Sequence, residues 1–268
     1  MNRILIFLIF TLFDCGNSNH KTTIVSAQTQ QQEAIESDIV LLETLSIEFD
    51  SISTLVRDNQ IDKSQALKEL QRILPELRTI YNCLQSDTIQ KKKWTFPVED
   101  YSSKNIGGTH GDGYIMGGYD YFAGNKHTGH PAQDVFINDK NQDCLDDRTG
   151  KFVNVLSVGK GIVVALVKEW DSASFLRGGK YIWIYDPHNN ALFYYAHNNE
   201  VLVNVGQIVN AGDAIATIGR TGLNAFKQKS PTHLHFMKLA LDKEFYPKPV
   251  NTYQKLLKAE IKNNYQIK

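Results

Sequence analysis

The apolar positions Ile35, Ile39, Leu42, Leu45, Phe49, Ile52 and Val56 recur at intervals of three and four, the period of one face of an α-helix. A second stripe, Leu67, Leu70, Leu74, Leu77, Tyr81 and Leu84, repeats that spacing after the turn-forming stretch DNQID at 58–62, where Asp62 and Ser64 are available as caps. The pattern predicts two helices packed as an antiparallel hairpin, each supplying the other's core, with Pro75 kinking the second or tightening its packing. The polar stretch QTQQQEA at 28–34 reads as a tether before them. Such a hairpin serves as a spacer, a partner-binding arm or an inhibitory cover, and no cofactor is expected in it.

From Trp94 the period changes. FVNVLSV, GIVVALV, YIWIYD, ALFYYAH, VLVNV, AIATIG and HLHFMKLAL have the length and composition of strands, with glycines between or beside them. This half of the chain is predicted to be mainly β. NTYQKLLKAEIKN near the end reads as a terminal helix. The organisation expected is a leader at 1–27, a helical hairpin at 28–93, a β domain at 94–250 and a C-terminal helix and tail at 251–268.

Composition excludes little. Lys and Arg together number 29, as do Asp and Glu, so no charge excess calls for nucleic acid or a membrane surface. The start of the chain is more telling, because Asn2 and Arg3 precede the apolar run ILIFLIFTLF, too short to span a bilayer and proportioned like a signal peptide. An exported protein of the bacterial envelope is expected. In LFDC, Cys15 stands where a lipoprotein carries its lipid-modified cysteine, although Asp14 replaces the usual small residue; the competing processing site follows VSA at 25–27. Membrane attachment is expected only through that lipid. Cys83 and Cys144 are then left either to form one disulfide, fastening the hairpin to the β domain, or to remain two buried thiols.

The chemistry lies in two short stretches. In PTHLHFMKL, His233 and His235 flank one leucine; on a strand they share a face, whereas on a helix they splay apart. Taken alone, the pair fits two satisfied polar residues as well as half of a metal site. In GHPAQDVFI, Pro131 disfavours a helix at His130, so a loop that bends to bring His130 and Asp134 to one point is expected, with a strand from Val135 anchoring it. Imidazole and carboxylate are good zinc ligands, and three protein ligands with a fourth position open form the catalytic arrangement. His130, Asp134 and one histidine of the HLH pair complete such a set, leaving the other histidine and His197 as uncommitted bases.

In this order and spacing, HPAQD, YYAHN, VGQIVNAGDAIATIGRTG and THLHF resemble the M23 family of zinc metallopeptidases, the lysostaphin- and LytM-like peptidoglycan endopeptidases, over roughly residues 94–245. The resemblance implies an antiparallel β-sheet peptidase domain with a zinc groove. It implies that His130, Asp134 and His235 bind Zn2+, that His197 and His233 serve the chemistry, and that the substrate is a peptide of bacterial peptidoglycan. The alternative is a noncatalytic, zinc-stabilised envelope scaffold that recruits another wall enzyme through its helical arm. No member of the implied set is missing, which favours the enzyme.

Other patterns are weaker. His127 either lines the cleft or is solvated, and no role is assigned to Tyr119 or Tyr121. DKNQDCLDDRTG at 139–150 spaces acidic residues like a calcium loop but lacks its glycine and final glutamate, so a solvated acidic hairpin tip is expected. GQIVNAGDAIATIG resembles a lipoyl-type carrier hairpin, but no lysine lies between Lys180 and Lys227 to be modified.

Overall fold

Asp62 closes the turn after the first helix and starts the second, accepting hydrogen bonds from the amides of Ser64 at 2.9 Å and Gln65 at 3.0 Å. The computed structural model describes residues 18–85 and 93–263, so the expected leader up to residue 17, with Cys15, lies outside the described residues. The helices are α1 (Ser18–Arg57) and α2 (Lys63–Leu84). The stretch 28–34, expected as a tether, belongs to α1: Gln, Glu and Ala are good helix formers, and the tract contains no glycine or proline to stop a helix. Pro75 lies inside α2, which continues through it. Two compact units divide the chain, Met1–Asp38 and Ile39–Lys268. No described helix is long and apolar enough to cross a membrane.

In the second unit the strands are β1 (Ala132–Phe136), β2 (Leu145–Asp146), β3 (Lys151–Phe152), β4 (Asn154–Leu156), β5 (Gly161–Val167), β6 (Lys180–Asp186), β7 (Ala191–Val201), β8 (Ile208–Val209), β9 (Ala214–Ile218), β10 (His233–Leu241) and β11 (Pro247–Val250). The main sheet runs β1-β10-β7-β6-β5-β8, with β11 also paired to β10, and with β9 joining β7 to β4. All these pairs are antiparallel, as the resemblance implied. VLVNV contributes only Val201 to a strand. The terminal helix is α3 (Tyr253–Leu256) alone. It stops early because the segment at Trp94 claims the following backbone, with Glu260 N donating to Trp94 O and Phe96 N to Glu260 O, both at 2.7 Å.

Alternation along β10 separates two cores. Leu234 and Phe236 face one, with Phe193, Tyr195, Ile182 and Ile184. Met237, Leu239 and Leu241 face the other, with Trp183, Tyr185 and Leu192, and there they meet Leu42, Leu45 and Phe49 of α1 and Leu70, Leu74 and Leu77 of α2. The helical stripes therefore pack on the sheet as well as on each other. At ~1.5–3 kcal/mol for each large apolar side chain fully buried, this face outweighs helix propensity in placing the hairpin. His233 and His235 share the parity of Met237, so the site continues the helix-covered face beyond the apolar packing.

Cys83 and Cys144 are both free. Cys83 is exposed on α2, whereas Cys144 is held in the 139–150 turn at φ 70° with its amide on Asp139 at 2.9 Å; of the two alternatives the bridge is not formed, and the Cys83 thiol is not buried. That turn is solvated at its tip, where Asp143 and Asp147 are exposed, but not at every one of its carboxylates. Asp139 is buried and accepts from the amides of Asp143 and Cys144 and from Thr232 Oγ1, so this carboxylate is engaged within the protein.

Candidate metal centre

Asp134 and His235 are direct cross-strand partners of β1 and β10, and opposite residues of an antiparallel pair project from the same face. His235 Nδ1 lies 3.1 Å from Asp134 Oδ1, and His130 Nε2 lies 3.2 Å from Asp134 Oδ2. The bent loop expected for this stretch is replaced by extended chain: His130 bridges Ile115, and β1 starts at Ala132. His130, Ala132 and Asp134 then share one face by alternation, with a small methyl between the two larger side chains.

One ligand atom from each of His130, Asp134 and His235 lies within 4.8 Å of the others. Zinc arms of ~2.0–2.2 Å place tetrahedral ligand atoms roughly 3.3–3.6 Å apart, close to both measured contacts. Among the described residues no other His, Cys, Asp or Glu group gathers in this way. Two nitrogens and a carboxylate oxygen, with one side open to a cleft, fit a zinc ion.

Three of the cleft histidines are fixed by backbone carbonyls. His130 Nδ1 meets Gly113 O at 2.9 Å, His197 Nδ1 meets Thr221 O at 2.8 Å and His233 Nδ1 meets Pro231 O at 2.7 Å. A carbonyl only accepts, so each Nδ1 carries the hydrogen and, in the neutral ring, each Nε2 is left as an acceptor. The His197 ring lies 4.9 Å from that of His233 and 5.5 Å from that of His235. Strict alternation would send His197 to the opposite face, because Tyr195 and Phe193 point into the other core. Its φ of 68° and the adjoining register shift in β7 turn it into the cleft. Left-handed backbone at a residue other than glycine stores strain, here at the site itself.

Electrostatics couple the cluster. Burial alone would raise the Asp134 carboxyl, but His130 and His235 overcome it and hold its pKa well below the usual range. Asp134 in turn raises the pKa of His130. Burial lowers His197 well below an ordinary imidazole, and the neighbouring His233 and His235 lower it further.

His127 is half-buried rather than solvated, with its ring 4.8 Å from that of Tyr119, and it lines the cleft. Burial pushes its pKa down to about 4, and Arg177 acts in the same direction. Arg177 escaped the sequence reading, as did the carbonyls of Gly113, Thr221 and Pro231. For Arg177 the available signal was the R-G-G step: a Cβ at Gly178 would occupy the place of the Tyr194 hydroxyl, and Gly179 adopts φ 62° against Thr221.

Residues 143–247 match the family described as Peptidase family M23. The matched stretch contains His197, His233 and His235 but begins after His130 and Asp134, whose membership of the cluster rests on geometry. No curated protein matches the chain. Among solved structures, a lytM from Ruminococcus gnavus is 21% identical over 85% of this chain and 89% of its own, with a TM-score of 0.42. The catalytic domain of the antimicrobial peptidase lysostaphin from Staphylococcus simulans is 21% identical over 53% of this chain and 85% of its own, with a TM-score of 0.34. A zinc containing peptidase from Vibrio cholerae is 21% identical over 64% of this chain, with a TM-score of 0.37, and this chain spans 41% of its length.

Proposed function

For a chain that carries the peptidase family M23 sequence over residues 143–247, we propose a zinc-dependent endopeptidase acting on peptides of bacterial peptidoglycan. The observation that carries this reading is the convergence of His130, Asp134 and His235 within 4.8 Å, in a cleft that His197 and His233 also line. When bound, zinc supplies Lewis acidity toward a carbonyl oxygen and a water of lowered pKa, about 7. His130 and His235 hold it through nitrogen and Asp134 through oxygen. The Nε2 of one of His197 and His233 accepts the proton of the attacking water, and that imidazole then donates it to the leaving amide nitrogen. Thr221 O and Pro231 O keep these rings oriented throughout.

The test is cleavage of purified sacculi by the zinc-loaded full chain, with released fragments identified by mass spectrometry. New peptide termini, lost in the His233→Ala variant, are expected. Intact sacculi at every protein concentration would overturn the reading and favour the noncatalytic scaffold. Export is part of the proposal and rests on the apolar leader and Cys15; intact-mass measurement of protein from native membranes should find lipid on that cysteine.

A further inference from the structure

We propose that the cavity beside the metal cleft is a specificity subsite for a peptide residue with an apolar body and a free carboxylate, and that Arg177 binds the carboxylate. This rests on the peptidase reading and goes beyond it. The cavity has a volume of about 90 Å³ and shares His127, Arg177, Tyr194 and His235 with the metal cleft. A peptide lying across His130 and Asp134 can therefore lower one side chain into it. Its floor is aromatic, formed chiefly by Tyr119, Tyr181, Trp183 and Tyr194, and α1 closes the far end with Ser53 and Val56.

Charge selects the occupant. None of the residues lining the cavity is acidic, while two arginines do line it. Arg57 is already neutralised, at 2.6 Å from Asp58, and its Nη1 bonds Tyr181 Oη at 3.1 Å. Arg177 donates to the main-chain oxygen of His127, and no salt bridge to it is found among the described residues. A guanidinium offers five donors in a fork matched to a carboxylate, so most of this fork remains for a ligand. An ammonium group in the aromatic box would meet the unpaired Arg177 cation, so a basic residue is disfavoured despite the rings.

The arginine is also held in position. Leu223 N donates to Leu176 O and His197 N donates to Gly178 O, each at 2.9 Å, so both neighbours of Arg177 are tied to cleft elements. The loop that faces α1 is fitted as closely, since a Cβ at Gly124 would collide with the carbonyls of Val56 and Arg57. On this arrangement the helical hairpin forms the end wall of the subsite and sets its depth.

The test uses full-length protein stripped of zinc by a chelator, so that no carboxylate can bind metal and no turnover is needed. N-acetyl-phenylalanine and its amide, each as both enantiomers, are titrated by calorimetry. The acid of at least one enantiomer should bind about tenfold or more tighter than its amide, as a charge-assisted hydrogen bond implies. Arg177→Gln should bring that ratio to about one while leaving amide binding in place. Ser53→Phe, which fills the cavity, should weaken acid and amide alike by about tenfold or more. Equal binding of acid and amide, no binding of either, or a preference that survives Arg177→Gln would each overturn the proposal. Failure to cleave sacculi would instead count against the peptidase reading, so the two are separable.

Discussion

His130, His197 and His233 each commit Nδ1 to a main-chain carbonyl, yet only His130 belongs to the cluster of possible metal ligands. Substitutions should separate the two kinds of histidine. His235→Ala and Asp134→Ala are expected to lose zinc and activity together, as read by elemental analysis of protein purified without added metal. His197→Ala and His233→Ala should retain zinc and lose about 10²- to 10⁴-fold in turnover. Their combination should cost less than the product of the single losses, because both serve one transition state. Zinc retained in full by both His235→Ala and Asp134→Ala would remove the site. An empty site in His233→Ala beside a full one in His235→Ala would exchange the roles of those two residues.

Where α1 meets the sheet, polar contacts accompany the apolar ones, among them Asp50 Oδ1, which accepts from Leu166 N of β5 at 3.0 Å. Burial raises the pKa of this carboxyl above the ordinary 3.8, against the opposing effects of the Leu166 amide and Arg57. A pKa raised in the folded state means that the folded protein holds the proton more tightly than the unfolded chain. The resulting stabilisation is full below 3.8 and is lost as pH rises through the folded value. Asp50→Asn keeps an acceptor for Leu166 and carries no charge, so its melting temperature should equal or exceed that of the wild type at pH 7. The difference should shrink as pH falls below about 4; a variant clearly less stable at pH 7 would show that the charge itself holds α1. Leu74 is fully buried in the same layer. Leu74→Ala should cost about 2–5 kcal/mol in urea unfolding, and a loss under 1 kcal/mol would mean that the hairpin packs loosely.

For the unit Ile39–Lys268, helices and sheet share one apolar cluster, so they are expected to unfold together. Hydrogen exchange should give the α2 and β10 amides similar opening free energies; α2 exchanging far faster would mark the hairpin as a separate unit. On the proposed reading zinc would bind only the folded arrangement, which brings residues 130 and 235 together, and at a hundredfold excess over Kd it would add about 2.7 kcal/mol. Chelation should therefore lower the melting temperature by roughly 5–10 °C, and His235→Ala should abolish that metal dependence. An equal shift in the variant would place the stabilising metal elsewhere.

Period and residue type were enough to read the two helical stripes, the β texture after Trp94 and a candidate ligand set of His130, Asp134 and one histidine of the HLH pair, because local periodicity and ligand chemistry are properties of short segments; the choice of His235 within that pair came from the family resemblance. The same reading went astray wherever a partner distant in sequence decided the outcome. The terminal helix was cut short by the Trp94 segment; residues 28–34, by contrast, became helix on their local propensity. Only the tertiary structure turned His197 into the cleft against the alternation of its strand, supplied the carbonyls of Gly113, Thr221 and Pro231, and set Arg177 beside the cluster of His130, Asp134 and His235. These features depend on backbone atoms and loop crossings, which every residue type can provide and no residue pattern marks. A side chain's chemistry is written in the sequence, whereas its partner is chosen by packing.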